Sequence, residues 1–343
     1  MNPSGRQRPT MADVAERAGV SRALVSIVFR GQPGAGEETR ERILRVADEV
    51  GYHPDNAARL LARGRSRALG VLFTVQHPFH ADLVSRIYPE AEELGYDALL
   101  SSPAHGRTEQ KAVEALLSHR CEAVLLLGPE APQAYLNELG RRTVVVSVSR
   151  RAAGAPVDSV YTAESSGVRQ AMNHLFDLGH RSLVHVDGGK GPGSTERRRA
   201  YRASMRRRGL SEELRVIPGG GTEESGVEAG ELLLRERDLG AELPTAVLAA
   251  NDRCAMGLML ALTRGGVDVP RDLSVVGYDD SHRSHMMPIG LTTVRQDVDV
   301  MAERAVRFAV ERLENAELEP RHAVLGAKLM VRGTTGPPRA EAR

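Results

Sequence analysis

The chain has 343 residues, of which 41% are hydrophobic and 27% are charged, so it can form two or three domains with buried cores. No apolar stretch approaches the ~20 residues that a bilayer span needs, which excludes a membrane helix. The first ten residues contain no apolar signal segment, which predicts a cytoplasmic protein. Two cysteines, Cys121 and Cys254, are too few for a four-thiolate zinc site or a disulfide framework, and we expect no metal and no cofactor.

The net charge of +1 hides an uneven distribution along the chain. Residues 1–67 contain 12 arginines and eight acidic residues, whereas the rest of the chain contains 34 basic and 37 acidic residues. This difference is compatible with ordinary fluctuation or with a small nucleic-acid-binding head on a neutral body. Aromatic residues make up 3%, which disfavours binding of single strands, because that function needs stacking platforms.

Residues 1–9 are polar and are predicted to be a disordered tail, and three short helices are predicted to follow. Thr10 and Asp13 have the spacing of a capping box, and Gly19 provides a stop. Ser21 is a good N-cap for a second helix that ends near Phe29. A third helix is predicted over about 37–50, and Gly51 is predicted to end it. The segment 54–67 is too short for a stable isolated helix and is predicted to be a linker that orders on contact.

From about Leu69 onwards, apolar runs alternate with helical stretches, which predicts two parallel sheets wrapped in helices. Ligands of such sheets bind beyond the carboxyl ends of the strands. The sequences AAND and GYDD, at residues 249–252 and 277–280, stand at two such ends and are candidate site positions.

The segment TMADVAERAGVSRALVSIVFRG, followed by TRERILRVADEVGYHPDNAARLLARGRS, resembles the head of the LacI/GalR family of bacterial transcription regulators. The resemblance continues, in the right order, through ERRRAY, PTAVLAANDRCAMG, LSVVGYDD and LTTVRQDV to VRGTT. It therefore covers nearly the whole chain. It implies an all-α helix-turn-helix head, a hinge helix and an α/β two-lobed core like that of periplasmic binding proteins.

The predicted organisation is a tail (1–9), a helix-turn-helix DNA-binding domain (10–53), a hinge helix or linker (54–67), an effector-binding and dimerisation core (68–334) and a second tail (335–343). The core has two parallel sheets and three crossovers. The N-lobe is expected at about 68–161 plus 294–322, and the C-lobe at about 162–293 plus 323–334.

The resemblance places the second helix of the head in the major groove of double-stranded DNA. By position, Arg22, Ala23 and Ile27 occupy base-reading positions. Arg22 can pair bidentately with guanine, or alternatively contact a phosphate, whereas Ala23 and Ile27 offer apolar contact. Many relatives have other residues at Leu24, Ile27 and Arg30, so a familiar operator is not expected. The full set of predicted DNA-binding residues is Thr10, Ser21, Arg22, Ala23, Ser26, Ile27, Arg30, Asn56, Ala58, Leu61 and Ala62.

The resemblance also implies a role in DNA binding for the hinge segment, residues 54–67. Leu61 matches the leucine that each hinge helix of a dimer inserts into the minor groove, and Ala58 and Ala62 permit close approach. The alternative is that Leu61 packs onto the core.

By position, the family resemblance assigns effector binding to six residues of the cleft: Phe79, His80, Arg197, Asn251, Asp279 and Gln296. Their donor and acceptor groups suit a small polyhydroxylated or anionic ligand held between the lobes. Capping of the following helix is the main alternative for Asn251 and Asp279. Family aromatics that stack on sugars have no clear match, because Gly221 and Val298 stand near those places, and Ser149 stands where many relatives carry Asp.

Three further features have competing interpretations. The loop 281–287 either contacts the ligand through His282, Arg283 or His285, or is a solvated surface loop. GGKGPGST at 188–195 lacks the Gly-Lys-Ser/Thr order of a nucleotide-binding loop and is interpreted as the loop before the Arg197 helix. The sequence offers no third metal ligand near His174 and His180, which disfavours a metal site.

The predicted function is a homodimeric, sequence-specific regulator, a repressor, that binds a palindromic operator under control of a small-molecule effector. An activator of the same family is an alternative. From other classes, a solute-binding protein lacks support because no export signal is present, and an enzyme lacks support because no catalytic constellation is present.

Overall fold

The computed structural model describes residues 9–29, 31–52, 65–285 and 290–339, and the chain divides into two units between Ser66 and Arg67. The described part of the first unit contains three helices: α1 (Met11–Ala18), α2 (Arg22–Phe29) and α3 (Glu37–Val50). Each has the ends that its sequence predicts. Thr10 and Asp13 form the capping box of α1, and Gly19 and Gly51 end α1 and α3 in left-handed backbone conformation.

The helices of the first unit enclose a small apolar core. Val14, Val25 and Ile43, one from each helix, are fully buried in it. Arg40 of α3 donates to the backbone oxygens of Val28, at 3.4 Å, and Gln32, at 3.0 Å, and so ties α3 to the connector after α2. The periodic apolar residues therefore determine this packing, and a side-chain to backbone contact fixes the loop.

The second unit begins with alternating strands and helices that build one six-stranded sheet. These elements are β1 (Ala68–Leu72), α4 (Pro78–Glu93), β2 (Asp97–Ser101), α5 (Glu109–Ser118), β3 (Ala123–Leu127), α6 (Gln133–Arg142), β4 (Val144–Val148) and β5 (Asp158–Thr162). Two later elements complete this lobe, namely α12 (Val298–Glu314) and β11 (His322–Leu325). The strand order is β11-β5-β4-β3-β1-β2, with all pairs parallel.

A second six-stranded sheet forms the other lobe. Its elements are α7 (Glu164–Asp177), β6 (Leu183–Val186), α8 (Ser194–Arg207), β7 (Arg215–Ile217), α9 (Glu223–Asp238), β8 (Ala246–Leu248), α10 (Asp252–Arg264), β9 (Ser274–Asp279), α11 (His282–His285), β10 (Thr292–Gln296) and β12 (Ala327–Met330). The order is β12-β10-β9-β8-β6-β7, and the edge strand β12 is antiparallel to β10. The second sheet is therefore mixed at one edge, where the sequence predicted parallel pairing throughout.

The chain crosses between the two sheets three times, after Thr162, after Gln296 and after Leu325. The sequence analysis placed the crossings at 161/162, 293/294 and 322/323. Each strand instead continues to its last paired residue: Thr292–Gln296 lies in the second sheet, and His322–Leu325 pairs with β5 in the first. Two of the three strand ends, Thr162 and Gln296, thereby meet at the boundary of the lobes.

The end of the described chain is packed against the second lobe. His180 Nε2 lies 2.8 Å from the Gly336 oxygen and His174 Nε2 lies 3.0 Å from Thr335 Oγ1, while Arg339 donates to the backbone oxygens of Asp272 and Leu243. The two histidines therefore hold the chain end. Within the described ranges no helix is both long and apolar enough to cross a membrane.

Candidate functional site: head helix and interlobe cavity

The predicted DNA-contacting residues of the head that the structure describes lie on α2 or just before a helix. Arg22 and Ala23 are exposed at the start of α2, and Ser26 and Ile27 follow as half-buried residues. Val25 and Val28 occupy the opposite, buried side of the helix. The helix therefore presents an arginine and small side chains outward, as a major-groove reading helix requires.

Thr10 and Ser21 use their hydroxyls to cap the helices. Thr10 Oγ1 accepts from the Asp13 amide at 3.3 Å, and Ser21 Oγ accepts from the Leu24 amide at 3.2 Å. Hydrogen bonds from the backbone and side chain of Thr10 lower the pKa of Asp13. The predicted residues Arg30, Asn56, Ala58, Leu61 and Ala62 lie outside the described residues.

In the second unit, all six cleft residues predicted from the sequence line one cavity of about 390 Å³ between the lobes. We call it the interlobe cavity. Asp279 and Gln296 are the last residues of β9 and β10, and Asn251 follows β8. The site is therefore built where parallel strands end, the usual ligand position for such sheets. From the first lobe, Phe79 and His80 reach it from the first turn of α4.

Two stacked imidazoles form the first lobe's side of the interlobe cavity. The His77 and His80 ring centroids are 4.3 Å apart with an interplanar angle of 11°. Burial lowers the pKa of His77 to about 4 and lowers that of His80 well below its usual value, so both rings are neutral at pH 7. His80 Nδ1 accepts from the Thr74 amide at 3.0 Å, which leaves the proton on its Nε2. His77 Nδ1 is buried without a partner among the described residues.

The Arg197 guanidinium has hydrogen-bond and aromatic partners within the second lobe. Its Nε and Nη2 donate to the two carboxylate oxygens of Glu164, at 2.7 and 3.3 Å, and its Nη1 donates to the Ala250 oxygen at 2.7 Å. Its guanidinium also lies 3.7 Å from the centroid of the Tyr278 ring. The donor fork that the sequence assigned to a ligand is therefore engaged, and Arg197 contributes its charge to the wall of the cavity.

A short chain of hydrogen bonds joins the lobes at the crossover. Thr162 Oγ1 donates to Gln296 Oε1, and Gln296 Nε2 donates to Asp279 Oδ1, both at 2.7 Å. Burial raises the pKa of Asp279 to about 7, against the opposing effects of the Arg197 charge and the Gln296 bond. The buried carboxyl of Asp252 also has a raised pKa, because of burial and the nearby Asp279 charge, so the two carboxyls titrate as a coupled pair.

Helix capping, the alternative role that the sequence left open for Asn251 and Asp279, is observed for Asn251 only. Asn251 caps α10, because its Oδ1 accepts from the Cys254 amide at 2.9 Å, and its Nδ2 donates to the Gly221 oxygen at 3.1 Å. Asp279 bonds to Gln296 instead and has a positive φ of 117°. Such a backbone is costly for a side chain other than glycine and is characteristic of functional positions.

The comparisons with known proteins agree along the length of the chain. Residues 10–55 match the model of bacterial regulatory proteins of the lacI family, and residues 172–335 match the periplasmic binding protein-like domain. The transcriptional regulator CelR of Thermobifida fusca is 31% identical over 339 residues, which cover 95% of this chain and 98% of CelR. The chain belongs to the LacI/GalR family of bacterial transcriptional regulators.

Solved structures of LacI-family proteins show the same fold. A LacI transcriptional regulator from a Rhodococcus species has 42% identity and a TM-score of 0.75, covering 80% of this chain and 100% of its own. The lac repressor dimer bound to operator and an anti-inducer has 26% identity and a TM-score of 0.80, covering 96% of this chain and 100% of its own. This LacI-family chain is thus a transcriptional regulator with a DNA-binding head and a periplasmic-binding-protein-like core.

In this LacI-family regulator, residues 281–285, the described part of the loop after β9, do not line the interlobe cavity. His282 pairs with Asp82 of the first lobe at 2.7 Å, Arg283 with Glu223 at 3.7 Å, and His285 with Asp280 at 3.4 Å. Residues 286 and 287 lie outside the described residues. The described part of the loop is therefore a set of ion-pairing groups beside the cleft.

Sequence reasoning missed several groups that line the interlobe cavity, namely His77, Arg253, Lys190 and the backbone of two glycine-rich segments, 188–191 and 219–221. Arg253 is paired with Glu223, its Nε lying 2.7 Å from the carboxylate. The signal for the glycines was present, since GGKGPG and GGG allow a backbone to approach a ligand closely. Gly221 lines the cavity without a side chain, whereas Val298 packs on the first lobe's core.

Proposed function

We propose that this regulator represses transcription by binding an inverted-repeat operator as a homodimer, and that a small molecule in the interlobe cavity changes its affinity for that operator. It acts on double-stranded DNA in the cytoplasm, through binding and not through catalysis. The observation that carries this proposal is the convergence of six polar or aromatic side chains from both lobes on one cavity, in a chain whose head exposes Arg22 and Ala23 at the start of α2.

The cavity supports a ligand that bridges the lobes. Phe79 and His80 belong to the first lobe, and Arg197, Asn251, Asp279 and Gln296 belong to the second. A ligand that contacts both sets favours the closed arrangement over an open one, and that difference in affinity is what an allosteric effector requires. Neutral imidazoles, a carboxyl and two amides offer hydrogen bonds to a small polyhydroxylated or anionic molecule.

A dimer fits the DNA-binding half of the proposal. One short reading helix contacts only a few base pairs, so two copies related by a two-fold axis are needed to give affinity and specificity at a palindromic site. Whether binding represses or activates depends on where the operator lies relative to the promoter. We expect repression, and in vitro transcription from a promoter that contains the selected operator measures the sign directly.

Selection of duplexes from a randomised pool tests the DNA-binding half. Full-length protein at moderate ionic strength should enrich an inverted repeat whose half-sites are related by two-fold symmetry. Enrichment of no inverted repeat would overturn the proposal.

Thermal unfolding against a panel of sugars, nucleosides and organic acids tests the effector half. A true ligand raises the melting temperature by mass action. Gln296→Ala should abolish that rise, whereas Gln133→Ala, at the start of α6 and away from the cavity, should leave it intact. Loss of the rise in both variants would contradict the assignment of the cavity.

A further inference from the structure

A second cavity, of about 850 Å³, lies on the other side of the loop 188–193 from the interlobe cavity. We call it the crossover cavity, because the end of β5 and the residues that lead from it to the second lobe, 161–166, form one of its walls. The two cavities share Glu130, Ser149 and residues 190–192 as a common partition. The cleft between the lobes therefore contains two adjoining spaces.

The crossover cavity is lined by basic side chains from both lobes. Arg150 and Arg151 follow β4 in the first lobe, whereas Arg169, Lys190 and Arg199 belong to the second. The ion pairs recorded in this part of the described chain involve the neighbouring arginines, Arg197 with Glu164 and Arg198 with Asp187, and none of these five cations.

Three acidic residues also line the crossover cavity, but their negative charges do not balance the positive charges of the five basic residues. Glu164 is buried and satisfied by Arg197. That leaves Glu130 and Glu196, both exposed, against the five lining cations. A concave surface with an excess of one charge concentrates ligands of the opposite charge.

The backbone adds hydrogen-bond donors to the crossover cavity, and these also favour a negatively charged ligand. The N-cap residues of the 14-residue helices α7 and α8, Ala163 and Gly193, both line the crossover cavity, and neither helix has a side-chain cap. Free amides at a helix N-terminus favour anions. Arg150 is also fixed in position, because its Nη1 donates to the Pro129 and Ala131 oxygens at 2.8 and 2.7 Å.

We propose that the crossover cavity is a second ligand site, which binds a small molecule carrying phosphate groups. Guanidinium groups pair with phosphate oxygens in bidentate geometry, and several of them around one concave space suit a ligand with more than one negative charge. Since the loop 188–193 is a wall of both cavities, the bound phosphate compound also restrains the interlobe cavity. The proposal does not depend on which molecule fills the interlobe cavity.

Calorimetric titration of the full-length protein with inorganic pyrophosphate, at constant ionic strength, tests the site. We expect saturable binding of one pyrophosphate per chain. Arg169→Gln/Arg199→Gln should weaken it at least tenfold, because both side chains are exposed and line the cavity. Arg202→Gln/Arg206→Gln removes the same charge from exposed positions of α8 outside the cavity and should leave the affinity unchanged.

Two results would overturn the proposal: no saturable binding, or an equal loss in both double variants. The second would mean general attraction between charges. An unchanged melting temperature of the apo variants shows that each is folded.

Discussion

His282 and Asp82 join the two lobes beside the cleft. His282 Nδ1 lies 2.7 Å from Asp82 Oδ1, and the His282 amide donates to Asp82 Oδ2 at 3.0 Å. Asp82 lies on α4 of the first lobe, and His282 begins α11 of the second. The link therefore holds the arrangement of the lobes that encloses the interlobe cavity, and it depends on a carboxylate that accepts from both a ring and a backbone amide.

Asp82→Ala should loosen this closed arrangement. The pair is partly exposed, so the global free energy of unfolding should fall by only about 1 kcal/mol or less. Hydrogen exchange should nevertheless increase at the start of α4 and in residues 281–285. Asp299→Ala breaks an exposed pair with Arg86 within the first lobe and serves as the control. Equal exchange patterns in the two variants would show that His282 and Asp82 do not hold the lobes together.

Glu164→Gln should destabilise the core by about 3 kcal/mol, because it leaves the charge of Arg197 buried without a partner. Adding Arg197→Gln should recover part of that loss, since the buried charge is then removed. Denaturant unfolding measures both. The control is Glu114→Gln, whose partner Arg142 is half exposed, and it should cost about 0–1 kcal/mol. A double variant that loses the sum of both single losses would contradict the pairing.

Asp279→Asn should stabilise the folded protein more at pH 8 than at pH 5. The Asp279 pKa is raised from 3.8 to about 7 on folding, so the folded state holds a proton that the unfolded state has released between these values. Stability from this group therefore falls as the pH rises through that window. Asn keeps the acceptor for Gln296 and removes the charge, for a gain of up to about 4 kcal/mol at pH 8. Thermal unfolding at both pH values measures it, and an equal gain at each would exclude the charge as the cause.

Arg22→Ala should lose sequence preference as well as affinity. If the side chain pairs with a guanine, discrimination at that base pair falls by about 1–3 kcal/mol. Binding to the selected operator and to single-base variants of it measures this. Arg45→Ala, at an exposed position of α3, should leave the preference unchanged. Equal weakening on all duplexes would reassign Arg22 to a phosphate contact.

Local patterns in the sequence predicted much of this molecule. The capping box of Thr10 and Asp13 and the terminal glycines Gly19 and Gly51 defined the helices of the head, because caps involve residues within one turn. The buried strands, such as Ala123–Leu127, were visible as continuous apolar runs. The six residues at the interlobe cavity followed from a family resemblance, and their roles toward a ligand remain predictions.

Short-range patterns were enough to predict the alternation of helices and strands and the three-helix head, since these depend on contacts between near neighbours. Contacts between residues far apart in the sequence came from the folded structure, which places Glu164 in the donor fork of Arg197 and His282 beside Asp82, 200 residues away. Glu164 and Arg197 come together when α7 and α8 pack within the second lobe, and His282 meets Asp82 when the two lobes dock. The free energy of these contacts depends on burial and charge in the folded cleft, and these arise from residues that are far apart in the sequence.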